Sequence, residues 1–492
     1  MTATQTLFEL RDINLVYRAR PALRQLNWSV PAGQHWACVG PNGSGKTSLA
    51  RILSHQTTHF SGDYHSSEPL LTSGVAYVCF EQAQALCARD RKLDDSEYRA
   101  DAADPGTRVR DAILAGQEAD EHFLAWVSRL GMEHILDRGL RYISTGEMRK
   151  TLLVRALLSN PALLILDNPL DGLDHASQQA MNDALGSLLQ GRRNLIILCR
   201  QLEDIPAGVH RVLVLDEGRV VCQGSPAEVL ARDDVLRLMA PPLPPLCELP
   251  PPAPRPYHLP DGPLLELHDV AVRYGDLTVL QHLNWRFDRH QHCCVSGPNG
   301  CGKTTLLSLI TGDNHKAYGQ DITLFGRKRG SGESIWDIKQ KYGQLDTQLQ
   351  LNFARSMKVV EVVVSGFFDS VGLFDNWGDV QRRAAEAWLD ALGVGELAMQ
   401  SYDTLSFGLQ RMVLLARAMV KSPLILLLDE PTLGLDGNHR RRLLQAIDHI
   451  ARHSDTQIIF VSHSAGDIPD CINQQLRFEP AADGFRVVCE NA

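Results

Sequence analysis

Long apolar runs are missing from this sequence. Runs such as Ala162–Leu166 and Leu424–Leu428 are five residues long, against the roughly 20 that a helix needs to cross a bilayer. The reading is of a chain with no membrane span of its own. Positive charge is also scarce. Lys and Arg number 49 and Asp and Glu 58, for a formal charge of −9. Affinity for a nucleic-acid backbone rests on cationic side chains, so no nucleic-acid partner is expected. Organised cysteine is absent too. The 11 cysteines are odd in number, and none falls in a Cys-x-x-Cys pair. Neighbours Cys293 and Cys294 would make a strained bridge. This pattern suits a reduced, cytosolic protein without a structural zinc site. Met1–Glu9 lacks the basic start and apolar stretch of a secretory leader.

What is present is present twice. Gly40-Pro41-Asn42-Gly43-Ser44-Gly45-Lys46-Thr47 returns as Gly297-Pro298-Asn299-Gly300-Cys301-Gly302-Lys303-Thr304. Tyr17 stands as far before Lys46 as Tyr274 stands before Lys303. Ser144 precedes Asp167 by the same interval that separates Ser406 from Asp429. So many landmarks in step mark a tandem duplication. The copies are read as residues 1–240 and 264–492. Between them lies 241–263, with eleven of the chain's 25 prolines. Proline lacks the N–H that sheets and helices need, so this stretch is expected to be an extended, semi-rigid linker.

In each copy a short apolar run leads to the glycine loop, and a helix is expected after it. Runs such as Leu195–Leu198 and Ile458–Val461 do not alternate with polar residues. They suit strands buried on both faces, the mark of a parallel α/β sheet. Arg108–Arg138 and Val359–Leu392 read as mostly helical inserts. The fold class is therefore α/β, two tandem P-loop domains, each with a parallel-rich core sheet and a helical insert.

Gly-x-x-x-x-Gly-Lys-Thr has a mechanism. Its glycines let successive backbone N–H groups face one point, and the helix that follows adds its positive end. Lys46 and Lys303 are placed to reach the β and γ phosphates of ATP. Thr47 and Thr304, each followed by another hydroxyl residue (Ser48, Thr305), are placed to offer an oxygen to Mg²⁺. Asp167 and Asp429 each end an apolar strand and are candidates to hold Mg²⁺ through water. Tyr17 and Tyr274 are candidates to stack on the purine.

Phosphate loop, Ser-x-Gly turn and apolar-Asp, in that order, resemble an ABC ATPase nucleotide-binding domain in both halves. Leu324–Glu333 and Val364–Ser370 further resemble the ModF-type tandem ABC ATPases, a group associated with molybdate uptake. The resemblance implies head-to-tail pairing of the two domains within one chain, with ATP between the phosphate loop of one and the Ser-x-Gly turn of the other. Ser144 and Gly146 would then close on nucleotide held by Lys303, and Ser406 and Gly408 on nucleotide held by Lys46. It also implies that Gln82 senses Mg²⁺ and water, its counterpart position in the second half falling on Thr347 or its neighbour Gln348. Glu430 would be the general base and His463 a contact to the γ-phosphate.

The first half departs from that pattern. Asn168 follows Asp167 where Glu430 follows Asp429, and Arg200 stands at the position of His463. An amide cannot accept a proton from water as a carboxylate does. These read as two independent losses, so the Lys46 site is expected to bind MgATP and turn it over slowly or not at all. In the facing turn, Phe407 and Leu409 replace small and polar residues. Cys301 replaces Ser44 with little effect expected, since backbone carries that contact. For the chain as a whole the resemblance implies a cytosolic ATPase, peripheral on the inner face of the cell membrane, partnered by an inner-membrane permease. The alternatives are a soluble ABC ATPase acting elsewhere, or an ATP-binding regulator. Phe367, Phe368, Phe374 and Trp377 lie where a permease would dock, but read more readily as the core of the helical insert.

Overall fold

Short strands that are apolar throughout bury both faces, and the fold follows from that. The computed structural model describes residues 5–17, 20–79, 82, 86, 106–171, 173, 175–191, 193–255, 257, 262–274, 277–298, 300–346, 349–350, 353, 357–373, 376–462, 467–481 and 484–491. They form two units, Met1–Pro242 with Asp436–Asn438 and Leu243–Leu435 with His439–Ala492.

In the first unit, β1 (Thr6–Tyr17), β2 (Arg20–Pro31) and β4 (Ser61–Ser66) make an antiparallel sheet in the order β2-β1-β4. The core sheet runs β5 (Val75–Val78), β6 (Leu163–Asp167), β7 (Asn194–Cys199), β3 (His35–Val39), β8 (Arg211–Asp216), β9 (Arg219–Gly224). All its pairings are parallel except β8 with β9. Along β6, Leu164 and Leu166 enter one core and Leu163 and Ile165 the other. That double burial is why the strand shows no alternation.

The helices are α1 (Lys46–Leu53), α2 (Val109–Leu114), α3 (Glu121–Arg129), α4 (Thr145–Leu158) and α5 (His175–Leu189), besides shorter ones. Helices α2 and α3 are the expected insert. They bury Val109, Ile113, Phe123 and Val127 in the same core as Leu153 and Leu157 of α4.

The second unit repeats this plan. Strands β10 (Leu265–Tyr274), β11 (Leu277–Phe287), β13 (Asp321–Leu324) and β14 (Arg327–Lys328) form an antiparallel sheet. The core sheet runs β15 (Tyr342–Leu345), β16 (Ile425–Asp429), β17 (Gln457–Val461), β12 (Cys293–Ser296), β18 (Gln474–Ala481), β19 (Gly484–Asn491), parallel up to β18. Its main helices are α6 (Lys303–Thr311), α7 (Val359–Val364), α8 (Asp379–Ala391), α9 (Phe407–Met419) and α10 (Gly437–His453). Phe367 and Phe368 pack partly buried against this core, while Trp377 is exposed. Phe374 lies outside the described residues.

The proline-rich stretch forms no helix or strand among its described residues, yet much of it is fastened to the second unit. Leu246 and Leu249 pack on the core. Ala253 N–H donates to Ser422 Oγ at 2.8 Å, and Arg255 Nε donates to Ser422 O at 3.1 Å. Arg442 Nη1 donates to the Pro244 carbonyl, and the His449 ring bonds that of Cys247. Prolines remove donors but leave every carbonyl free to accept.

Candidate functional site: two phosphate cradles

Each glycine loop bridges the end of a central strand and the first turn of a helix, β3 to α1 and β12 to α6. Gly45 and Gly302, with φ of 103° and 107°, cap those helices in the left-handed region. A Cβ at Gly45 would sit 2.8 Å from the Ala22 carbonyl, and one at Gly302 2.8 Å from Val279 Cγ1. Only glycine fits there. Lys46 Nζ donates to the carbonyls of Gly40 (2.6 Å) and Pro41 (3.0 Å) and to Ser44 Oγ (3.3 Å). Lys303 Nζ makes the matching bonds to Gly297 (2.9 Å) and Pro298 (2.7 Å), and lies 3.8 Å from Cys301 Sγ. The Cys301 exchange thus keeps the lysine's two carbonyl bonds. Burial pushes both ammonium groups below the usual lysine range. Asp167 counters this for Lys46, and Glu430 and Asp429 counter it for Lys303. A buried cation in a ring of backbone groups suits a polyphosphate. Asn299 lies outside the described residues.

Beside the first cradle, Thr47 Oγ1 donates to Asp167 Oδ2 at 3.2 Å. A hydroxyl and a carboxylate so placed are the hard oxygen ligands that Mg²⁺ takes. Tyr77 Oη donates to the same carboxylate oxygen at 2.7 Å. Sequence reasoning passed over Tyr77, because a strand tyrosine is usually core. Its position on β5, one pairing from β6, was the available signal. In the second unit Asp429 ends β16 and is half-buried, and Thr304 is exposed at the start of α6. Gln82 is half-buried at a helical position. Gln348 lies outside the described residues. Tyr17 and Tyr274 stand at the ends of β1 and β10, 39% and 43% exposed. Tyr17 shares a bond with Thr57, and Asn314 donates to Tyr274 Oη. The Lys316 ammonium lies 6.0 Å from the Tyr274 ring.

The residues after the two aspartates share one backbone geometry. Asn168 has φ 48° and Glu430 φ 47°. Asn168 N–H donates to Leu198 O (3.0 Å) and Glu430 N–H to Val461 O (3.1 Å). Both side chains therefore leave equivalent points. Glu430 carries a carboxylate there, a group able to accept a proton from water. Asn168 instead donates Nδ2–H to Asp167 Oδ1 at 2.5 Å.

Arg200 follows β7, and its Nη1 donates to Asp171 Oδ2 at 2.5 Å. The arginine is not a lone exchange but half of an ion pair, with Asp171 standing where the second half has Leu433. His463 lies outside the described residues.

The Ser-x-Gly turns are helix starts. Ser144 caps α4, its hydroxyl accepting Glu147 N–H at 3.2 Å while Glu147 Oε2 accepts Ser144 N–H at 2.7 Å. Ser406 caps α9 by accepting Leu409 N–H at 3.4 Å. Leu409 cannot return the bond as Glu147 does. Gly146 lies where a Cβ would be 3.1 Å from Leu173 Cδ2, and Gly408 where one would overlap the His439 ring. Ser144→Ala is expected to cost about 1 kcal/mol of first-unit stability, read as a lower urea midpoint.

The chain matches the ABC transporter family model twice, over residues 23–171 and 280–433. It is 38% identical to the ABC transporter ATP-binding protein ModF of Escherichia coli K12 over 462 residues, 93% of this chain and 94% of that one. An uncharacterised ABC transporter ATP-binding protein of Schizosaccharomyces pombe is 24% identical across 93% of this chain and 95% of its own. Among solved structures, the complex of an archaeal ribosomal stalk protein with archaeal ribosome recycling factor aABCE1 aligns at TM-score 0.63 and 18% identity. That alignment covers 98% of this chain and 90% of the other, a likeness of fold. The α/β architecture, the twofold phosphate loop and this identity lead to one conclusion: the chain belongs to the ABC ATPase family, as a tandem ATP-binding, ATP-hydrolysing member.

Proposed function

We propose that the two cradles form unequal ATP sites and that hydrolysis occurs at Lys303. Lys303 would hold the β and γ phosphates, with Thr304, Thr305 and the loop amides. Glu430 would accept the proton of the attacking water, and His463 would fix the γ-phosphate. Ser144 and Gly146 would close over this nucleotide by head-to-tail pairing of domains 1–240 and 264–492, favoured by the effective concentration of one chain. Bound Mg²⁺ supplies charge neutralisation on the phosphates, and Thr304, Asp429 and Gln348 in one site and Thr47, Asp167 and Gln82 in the other are its proposed holders. Tyr17 and Tyr274 would stack on adenine.

The observation that carries this reading is Asn168 and Glu430 at one left-handed position, one amide and one carboxylate. The Lys46 site, closed by Ser406 and Gly408, would therefore keep nucleotide more than consume it. Steady-state ATPase of the full chain tests the assignment. Lys303→Ala is expected to lower the rate at least about 100-fold, and Lys46→Ala less than about tenfold. Equal losses would overturn the asymmetry.

The work done is proposed to be transport. No helix among the described residues is long and apolar enough to cross a membrane, so a separate inner-membrane permease would be required. The relation to ModF makes a molybdate system the first to test. Co-purification from detergent-solubilised inner membranes would identify the permease. The same chain appearing only in the unbound fraction would favour a non-transport role.

A further inference from the structure

The exchanges at 171 and 200 belong together. The first half has Asp and Arg where the second has Leu433 and His463. Asp171 Oδ2 lies 2.5 Å from Arg200 Nη1 and 3.5 Å from Arg149 Nη2. Asp171 and Arg200 are each 23% exposed and Arg149 12%, so water screens them only in part. Arg149 also donates Nη1–H to the carbonyl of Asn168 at 2.6 Å. Arg200 is close enough to the first cradle for its charge to bear on Lys46. One carboxylate thus holds two guanidinium groups beside a phosphate loop. A guanidinium binds carboxylate and phosphate oxygens by the same bidentate geometry.

We infer that Asp171 is a latch on Arg200, competing with the γ-phosphate for that guanidinium, so that the pair sets how strongly the first site prefers a nucleoside triphosphate over a diphosphate. Arg200 is then a specificity residue for the γ-phosphate, and Asp171 a positioning residue that restrains it. This rests on reading the Lys46 loop as a nucleotide site.

The test uses the full chain with Lys303→Ala, leaving the first cradle as the one with its lysine. Fluorescent ATP and ADP analogues are titrated with Mg²⁺. Asp171→Leu, or Asp171→Asn where leucine disturbs folding, is expected to raise the ATP-to-ADP affinity ratio about tenfold, the lower end of the worth of one charge-assisted bond. Arg200→Ala is expected to lower that ratio, and Asp171→Leu to have no further effect in its background. A structural role for Asp171 would shift ATP and ADP together. An equal shift, or a Leu effect that persists without Arg200, overturns the latch. Binding of neither analogue to the Lys303→Ala chain overturns the first-site reading itself, and the latch with it.

Discussion

Glu430→Gln is expected to stop ATP turnover while leaving nucleotide bound. The exchange keeps size and hydrogen-bonding reach but removes the basic oxygen. General-base catalysis contributes about 10²–10⁴-fold, and the steady-state rate should fall by that factor. The backbone at this position tolerates an amide. Asn168 occupies the same left-handed conformation with the same strand-to-turn bond in the first unit. Affinity for ATP analogues should therefore stay within a factor of a few. A Glu430→Gln chain that hydrolyses at the wild-type rate would mean that the base lies elsewhere. The reverse change, Asn168→Glu, is not expected to create a second active site. It replaces the 2.5 Å amide donor to Asp167 with a second carboxylate, and Arg200 would remain paired with Asp171.

Arg411→Ala is expected to destabilise the second unit by about 3 kcal/mol or more, the scale of large-to-small core changes. Its side chain is fully buried, with Cζ 5.4 Å from the Phe407 ring centroid. Burial brings the guanidinium down to about 10, while Tyr402, Asp346, Glu430 and Asp429 pull the other way. Alanine would leave a cavity under α9 and remove the buried positive charge that Asp346, Glu430 and Asp429 act on. Its counterpart Arg149, equally far past the capping serine, ties α4 to the residue after Asp167. Arg411→Met separates the two contributions. It should recover most of the lost urea midpoint by filling volume, while ATPase activity stays low because the positive charge that acts on Glu430 and Asp429 is gone. Full recovery of both would make Arg411 a packing residue alone.

Repetition and the chemistry of a few residue types were enough to read the duplication, the α/β class and the location of both cradles from the chain alone. The reason is local. A glycine loop with its lysine spans eight successive residues, the helix behind it begins at that lysine, and backbone sterics dictate the shape of the loop. Double burial likewise writes itself into β6 and β16 as unbroken apolar runs. The Asn168 and Glu430 contrast was legible because each adjoins a recognisable aspartate.

Other features needed folding to meet. Tyr77 reaches Asp167 across two neighbouring strands, 90 residues apart in sequence. Arg200 looked like a single degenerate position until the fold brought Asp171 to it from 29 residues away. The proline-rich stretch looked like a spacer because sequence shows its missing donors. Its carbonyls found Arg442 and His449 only in three dimensions. Pairings of this kind depend on which strand neighbours which, and strand order is set by long-range packing that no short stretch of residues encodes.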